Sequence, residues 1–204
     1  MPKRRSYHHG NLRQALLDSA LRLVQNEGVE GLTLRGAAAL AGVSQAAPYR
    51  HFADKQALLA AVAEEGFRAL TAAMRRAGDA QTDEPLARFR AFGLAYVAFA
   101  TRQPSHFRVM FGRAVADHSA HPSLAAAAGE AFDLLLRAIE DCQRAGFARQ
   151  DDPRRLALSA WSMVHGLSAL VVDGRLRGLT DRSADQLAED VALDLFLGLG
   201  PRRA

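Results

Sequence analysis

The chain has 204 residues, 49% apolar and 24% charged, which suits one or two soluble domains with a sizeable core. Alanine and leucine dominate while β-branched residues are sparse, and this bias favours helices. The single cysteine, Cys142, excludes an intrachain disulfide and a cysteine metal cluster, and we find no signal-type segment and no run of 18 apolar residues, so we expect a cytoplasmic protein and no membrane partner.

The net charge of +4 resides in the N-terminal part of the chain. Residues 1–60 hold eight basic and four acidic side chains, whereas the remaining residues carry 18 of each. Such an excess is typical of a surface that faces nucleic acid or an anionic membrane, although a solvated face with a chance imbalance is also compatible with it.

The first fifty residues after the terminus predict three short helices. Apolar residues at spacings of three and four indicate a helix from about residue 11 to Asn26, which stops at Gly28. Thr33 is a suitable N-cap for a second helix that ends at Leu40, and Ser44, after a glycine turn, is a suitable N-cap for a third. Before them, residues 1–10 form a basic arm.

A longer helix and a set of proline-initiated helices follow. Asp54 can cap a fourth helix that ends before Gly78, and the polar stretch 78–85 indicates a linker. Four later helices are expected to begin at prolines, where the fixed φ and missing N–H cost nothing, and a last one at the capping box of Ser183 and Gln186. The prediction is an all-α fold of about nine helices, with a helix-turn-helix domain over 11–77 and a larger C-terminal domain over 85–204.

A short helix, a tight glycine turn and a second short helix form the helix-turn-helix layout, whose second helix enters the major groove of DNA. Glutamine pairs with adenine, alanine packs on a thymine methyl group, and basic or hydroxyl side chains suit phosphate oxygens. Pro48 lies inside the third predicted helix, where we expect it to face inward and to limit where the helix begins. The expected DNA-binding residues are Thr33, Arg35, Ser44, Gln45, Ala46, Tyr49, Arg50, His51 and Lys55.

This stretch of sequence resembles the DNA-binding domain of the tetracycline-repressor (TetR) family of transcriptional regulators. The resemblance covers about residues 10–65 and rests on Ala41-Gly-Val-Ser44, on Tyr49-Arg-His-Phe52, and on Lys55 with Leu58. It implies a homodimer, paired through its last two helices, that binds a palindromic operator and is released by a small molecule. Gly36 and Pro48 depart from the residue types expected at their positions.

The C-terminal domain carries aromatic residues at helical spacing, which form either a core or the lining of a largely apolar effector site. Trp161, His165 and Gly166 resemble the residues that mark the Trp-His-Gly (WHG) class of C-terminal domains in the same family. His165 is a candidate core, effector or dimer-interface residue. The candidate ligand-binding residues are Phe89, Phe92, Tyr96, Phe107, Met110, Phe132, Trp161 and His165.

The sequence offers little support for enzyme chemistry or a cofactor. It contains no glycine-rich phosphate loop and no nucleophile motif, and His118 and His121 have only Asp117 as an obvious further metal ligand. The leading hypothesis is therefore a ligand-responsive repressor. The alternative is an α-helical small-molecule-binding or scaffold protein that does not bind DNA.

Overall fold

The computed structural model describes residues 9–81 and 84–199, and within these ranges it is built from helices without a strand. The eight described α-helices are α1 (His9–Gly31), α2 (Leu34–Leu40), α3 (Lys55–Asp79), α4 (Pro85–Arg102), α5 (Pro104–Met110), α6 (Pro122–Arg144), α7 (Pro153–Val172) and α8 (Ala184–Leu199). Single 3-10 turns lie at Pro48–Arg50, Arg113–Val115 and His118–Ala120. The all-α prediction is confirmed. Residues 1–8 of the predicted basic arm, which was expected over 1–10, lie outside the described residues.

Packing divides the chain into two units. Unit 1 comprises the residues up to Gly66 together with Ser105–Ala125, and unit 2 comprises Phe67–Pro104 together with the residues from Ala126 onward. Helix α3 therefore contributes to both units, and α5 from its second residue onward belongs to unit 1. The domains expected from the sequence, 11–77 and 85–204, describe function rather than packing and stay a prediction.

Each unit has its own apolar core. In unit 1, α1 packs against α2, and Leu16, Leu34 and, on α3, Leu58 are buried. In unit 2, α4 packs against α7 and α8, and the buried Phe92 and Leu156 contribute to its core.

Helix starts follow the local chemistry that the sequence indicated. Prolines occupy the first position of α4, α5, α6 and α7. The Ser183 hydroxyl accepts a hydrogen bond from the Gln186 amide at 3.2 Å, and the Gln186 side chain accepts one from the Ser183 amide at 2.9 Å. This reciprocal pair is the predicted capping box. Asp54 also caps α3, by accepting from the Ala57 amide at 2.8 Å.

The third helix expected after Ser44 is not an α-helix, and this prediction was wrong. Since Pro48 has no N–H, the Ser44 carbonyl accepts instead from the Ala47 amide at 3.0 Å, three residues on. The His51 amide then donates to the Pro48 carbonyl at 2.9 Å, which closes one 3-10 turn. Successive tight turns therefore replace the helix, so the described chain has eight α-helices rather than about nine.

Two glycines set the ends of helical stretches. Gly28 has a φ of 76° and interrupts α1 where the sequence predicted its end, although helical geometry resumes up to Gly31. Helix α7 ends at Val172, whereas the sequence indicated a helix to about Leu176. Gly174, with a φ of 66°, allows the left-handed turn that ends it.

Helix α7 is unusually apolar. Among the described helices it alone is long and apolar enough to cross a bilayer, and a third of that stretch is buried in the fold. A core helix that packs by one face meets the same criterion, so the finding is weak evidence for a membrane.

Candidate nucleic-acid interface and effector site

Residues 44–51, here called the reading segment, are held in unit 1 by two buried side chains. Pro48 is buried at the first position of the 3-10 turn, and Phe52 follows with 4% of its surface exposed. Between and before these anchors the side chains of the segment face solvent, and Tyr49 is 52% exposed. The exposed residues of the segment are Ser44, Gln45, Ala46, Tyr49, Arg50 and His51. The expectation that Pro48 faces inward is confirmed.

Helix α2 presents two further candidates beside its first turn. The Thr33 hydroxyl accepts a hydrogen bond from the Gly36 amide at 2.9 Å, and Arg35 is exposed. A Cβ on Gly36 would lie 3.0 Å from the Thr33 Oγ1 and 3.2 Å from a methyl carbon of Leu23 in α1. Glycine at this position therefore lets α2 pack closely on α1 while Thr33 caps it, which explains the departure noted in the sequence.

Lys55 differs from the other DNA-binding candidates because its side chain is partly buried and already hydrogen-bonded. Its Nζ donates to the carbonyl oxygen of Glu30 at 2.9 Å, near the end of α1. An ammonium group has three donors, so this bond leaves capacity for a phosphate oxygen. The geometry therefore assigns Lys55 a structural bond that the sequence did not indicate.

A basic residue outside the predicted set lies beside the reading segment. The Arg13 guanidinium carbon lies 5.7 Å above the centre of the Phe52 ring, within the range of a cation–π contact. Arg13 is 39 positions away in sequence and belongs to α1, so only the tertiary packing of that helix reveals this contact.

Three of the effector-site candidates form a polar chain in unit 2. Trp161 Nε1 on α7 donates to the Tyr96 hydroxyl oxygen on α4 at 3.2 Å, and that oxygen lies 2.9 Å from Nδ1 of His165. The direction of the hydrogen bond between the Tyr96 hydroxyl and His165 depends on the histidine tautomer, because the hydroxyl can either donate to Nδ1 or accept from it.

Burial favours the uncharged forms of Tyr96 and His165 in this hydrogen-bonded group of side chains. Tyr96 retains 6% exposure, and desolvation raises its pKa well above the ordinary value near 10, against the smaller opposing effect of the Trp161 hydrogen bond. Desolvation likewise lowers the pKa of His165. The polar chain therefore provides hydrogen-bonding groups without a formal charge, inside a largely apolar surround.

Aromatic rings extend this cluster. The Phe132 ring lies 6.2 Å from that of Trp161 in an edge-to-face arrangement, and the Arg154 guanidinium carbon lies 5.6 Å above the Phe132 ring. Phe89 and Phe92 are buried on α4, the helix that carries Tyr96.

Two further ligand-binding candidates, Phe107 and Met110, belong to unit 1, and their role stays a prediction. They are buried on α5 in unit 1, where the Phe107 ring lies 5.0 Å from Phe111. Their apolar spacing resembled that of the other candidates, and the sequence alone does not separate the two groups.

The histidines considered as metal ligands do not assemble a site with Asp117. The Asp117 carboxylate accepts from the Ser119 backbone amide at 2.9 Å and from its hydroxyl, and these bonds lower its pKa. Within the part of the chain that the structure describes, no group of three or more potential ligands occurs.

A helical fold with an exposed reading segment after a short capped helix defines the class of helix-turn-helix regulators. Comparison with known proteins agrees. The family model described as "Bacterial regulatory proteins, tetR family" matches residues 16–62, and that described as "Tetracyclin repressor-like, C-terminal domain" matches residues 89–195, more than half of the chain. The chain therefore belongs to the TetR family of transcriptional regulators. These matches do not test the WHG assignment, which stays a prediction.

Individual relatives support the family in different regions. The chain is 50% identical over 52 residues to the tetracycline repressor protein class C of Escherichia coli, covering 26% of this chain and 24% of that protein. It is 38% identical over 79 residues to the HTH-type transcriptional regulator BetI of Burkholderia mallei, covering 39% and 40%. It thus spans between a quarter and two fifths of the length of these curated relatives.

A solved structure extends the likeness to the whole fold. A protein of unknown function from Rhodococcus sp. RHA1 has a TM-score of 0.83 with 38% sequence identity, over 97% of this chain and 100% of that chain.

Proposed function

We propose that the chain is a repressor that binds a palindromic operator as a homodimer and is released by a largely apolar small molecule. The observation that carries the proposal is the reading segment, where buried Pro48 and the adjacent buried Phe52 anchor a row of exposed side chains. Buried anchors fix the backbone, so Gln45 and Tyr49 are presented without the entropic cost of ordering a loose loop.

The charge distribution supports DNA as the partner. All of the excess positive charge lies in residues 1–60, which include the reading segment and α2. Lysine and arginine that neutralise phosphates release counterions, which supplies the sequence-independent part of the affinity.

The cluster around Tyr96 supports a small-molecule effector in unit 2. Aromatic and apolar side chains surround an uncharged chain of hydrogen-bonding groups, the composition typical of sites for organic ligands. Such a site favours a mostly apolar molecule with one or two polar atoms over a highly charged one. The candidate lining residues stay those expected from the sequence, namely Phe89, Phe92, Tyr96, Phe132, Trp161 and His165 of unit 2 together with Phe107 and Met110 of unit 1.

Exposed apolar residues on the last two helices support a homodimer. Leu158, Met163 and Leu170 of α7 are 46%, 38% and 45% exposed, and Leu193 of α8 is 59% exposed. Two copies of this helix pair form a two-fold four-helix interface that would cover these side chains. As a bacterial regulator that acts on DNA, the protein is expected in the cytoplasm.

The test is a selection of bound DNA from a random library, followed by fluorescence anisotropy on the selected operator. We expect a palindromic site and a steep loss of affinity between about 50 and 200 mM salt, on the order of 10³-fold for several phosphate contacts.

Gln45→Ala should weaken binding by about 1–3 kcal/mol and relax specificity at one position, because it removes a base contact. Arg50→Ala should lower the magnitude of the salt slope by about 1.

The matched control is Leu179→Ala, which changes an exposed residue of unit 2, 78% accessible, far from the reading segment in sequence. It should leave the affinity unchanged. A library that yields no enriched sequence, or a Gln45→Ala variant that binds like the parent, contradicts the proposal and favours a helical protein that does not bind DNA.

A further inference from the structure

Arg13 on α1 is an exposed arginine whose guanidinium group lies beside the end of the reading segment. Its guanidinium carbon is 5.7 Å above the centre of the ring of Phe52, the residue that directly follows the segment. Because Phe52 retains only 4% exposure, its ring is held by the core of unit 1. A buried ring therefore determines where this exposed positive charge lies.

The contact with Phe52 leaves the hydrogen-bond donors of Arg13 available for an anion. A guanidinium group has five N–H donors, and its electrostatic attraction to a ring face does not satisfy them as an oxygen acceptor would. Among the described residues Arg13 forms no ion pair with a carboxylate, whereas Arg75 of α3 pairs with Glu130 at 2.6 Å. An exposed guanidinium of this kind is suited to a phosphate, which accepts two parallel N–H bonds from it.

The place of Arg13 beside the segment, rather than within it, favours phosphate oxygens over base edges. Gln45 and Tyr49 are exposed within the segment, whereas Arg13 comes from a different helix and reaches the residue after the segment ends. The major groove is about 12 Å wide, so a segment that occupies it has a phosphate backbone on either side. An arginine at the edge of the segment therefore meets the backbone, where it adds affinity without reading sequence.

We propose that Arg13 is a phosphate-binding residue of the DNA interface and that the Phe52 ring holds its guanidinium group in position for this contact. An unrestrained arginine loses rotamer entropy when it binds a phosphate, and the ring contact removes part of this loss before DNA arrives. The inference rests on the proposed function, because it assigns one more residue to the same interface.

The test is fluorescence anisotropy on the selected operator and on a duplex of unrelated sequence, at several salt concentrations between about 50 and 200 mM. Arg13→Ala should weaken binding to both duplexes by a similar factor, on the order of tenfold, because phosphate contacts carry no sequence information. It should also lower the magnitude of the salt slope by about 0.9 for each phosphate contact that is lost. Arg13→Lys retains the charge and should keep the slope of the parent, whereas a purely structural role of Arg13 would leave the slope unchanged in both variants.

Arg22→Ala is the matched control for the loss of charge. Arg22 is also exposed on α1, nine positions after Arg13, which corresponds to about 13 Å along the helix and two and a half turns around it. The control therefore removes the same charge from the opposite side of the same helix, and both affinities should stay within about twofold of the parent at a distance beyond the Debye length. A slope that is unchanged in Arg13→Ala, or that falls equally in Arg22→Ala, overturns the phosphate contact.

The role of the ring is tested by a double-mutant cycle. Phe52→Leu keeps an apolar side chain but removes the ring face, so it should weaken operator binding more in the parent than in Arg13→Ala. Phe52→Met, whose flexible side chain fills an irregular space, replaces it in the cycle if Phe52→Leu does not fold. Losses that simply add overturn the positioning by Phe52.

The outcomes separate this inference from the proposed function. A parent that binds no operator overturns both. A parent that binds its operator with a salt slope that Arg13→Ala does not change overturns the role of Arg13 alone.

Discussion

At the residue scale, Tyr96 connects the two aromatic polar groups of α7. Its hydroxyl accepts from Trp161 and shares a hydrogen bond with Nδ1 of His165, so one buried oxygen joins two side chains of α7. Because buried groups without a partner cost more than an average hydrogen bond contributes, a single oxygen atom has a large effect here.

Tyr96→Phe should lower the free energy of unfolding by about 1–3 kcal/mol, since it removes the buried hydroxyl that is hydrogen-bonded to Trp161 and His165. Urea denaturation at neutral pH measures this change.

Burial raises the Tyr96 pKa, so the neutral phenol stabilises the fold, and this contribution is lost as the pH rises above the unfolded value near 10. The parent should therefore lose stability above about pH 10 more steeply than Tyr96→Phe does.

The matched control for this substitution is Tyr49→Phe. Tyr49 is 52% exposed, so its hydroxyl can be replaced by water without leaving a buried partner, and the unfolding free energy should change by less than about 0.5 kcal/mol. Equal effects of the two substitutions would show that the Tyr96 bonds contribute nothing beyond a surface hydroxyl.

Single residues also show where sequence reasoning ends. The apolar spacing on α4 and α7 located Tyr96 and His165, but their hydrogen bond joins positions 69 residues apart and depends on packing. The bond of Lys55 to the Glu30 carbonyl likewise joins positions far apart in sequence and depends on packing. No local pattern distinguishes these side chains from solvated ones.

At the element scale, the reading segment is where local chemistry and the expected helix disagree. Pro48 cannot donate to the Ser44 carbonyl and disfavours helical geometry at the residue before it. The chain responds with an i to i+3 bond from Ala47 and a short 3-10 turn, while Pro48 itself is buried. The proline thus changes the backbone of the segment but retains an inward apolar anchor.

Pro48→Leu should preserve both folding and operator binding, because leucine supplies an apolar side chain of similar burial and restores the missing N–H. We expect the new backbone amide at position 48 to become protected from exchange, as the Ser44 carbonyl gains an α-helical partner, with operator affinity within about tenfold of the parent, or about 1.4 kcal/mol. NMR exchange and anisotropy measure the two effects. Pro48→Ser is the contrasting variant, since it restores the N–H without the apolar anchor and should weaken binding more.

Loss of both folding and DNA binding in Pro48→Leu would contradict this account of the segment. It would show that the tight turns themselves, rather than the burial of position 48, are required.

The helices themselves were largely predictable because their ends are determined by local chemistry. Prolines at helix starts, the capping box at Ser183 and the capping carboxylate of Asp54 all act within four residues, so sequence spacing reveals them. The end of α7 was predicted too late because its apolar pattern continues past Val172, and only the left-handed Gly174 breaks the backbone. The grouping of α5 with unit 1 depends on tertiary packing and has no local signal.

At the scale of the whole molecule, the exposed apolar side chains of α7 and α8 support the proposed homodimer. Val164, Leu167 and Leu195 are buried within the protomer, whereas Leu158, Met163, Leu170 and Leu193 remain exposed. The face toward the protomer core and the face toward solvent are therefore both apolar. Such a distribution is expected for helices that pack on two sides, one of them against a second copy.

If the proposed dimer forms through α7 and α8, Leu170→Glu combined with Leu193→Glu should convert it to a monomer, because a two-fold interface brings each new charge close to its own copy without compensation. Sedimentation velocity at micromolar concentration should show the change in mass. Operator affinity should fall by about 10²–10⁴-fold, since each protomer then binds a half-site without the advantage of linkage.

Leu179→Glu, on the loop after α7 and 78% exposed, is the matched control and should remain dimeric with unchanged affinity. A double variant that stays dimeric would place the interface on another surface, and the exposed leucines of α7 and α8 would then need a different partner.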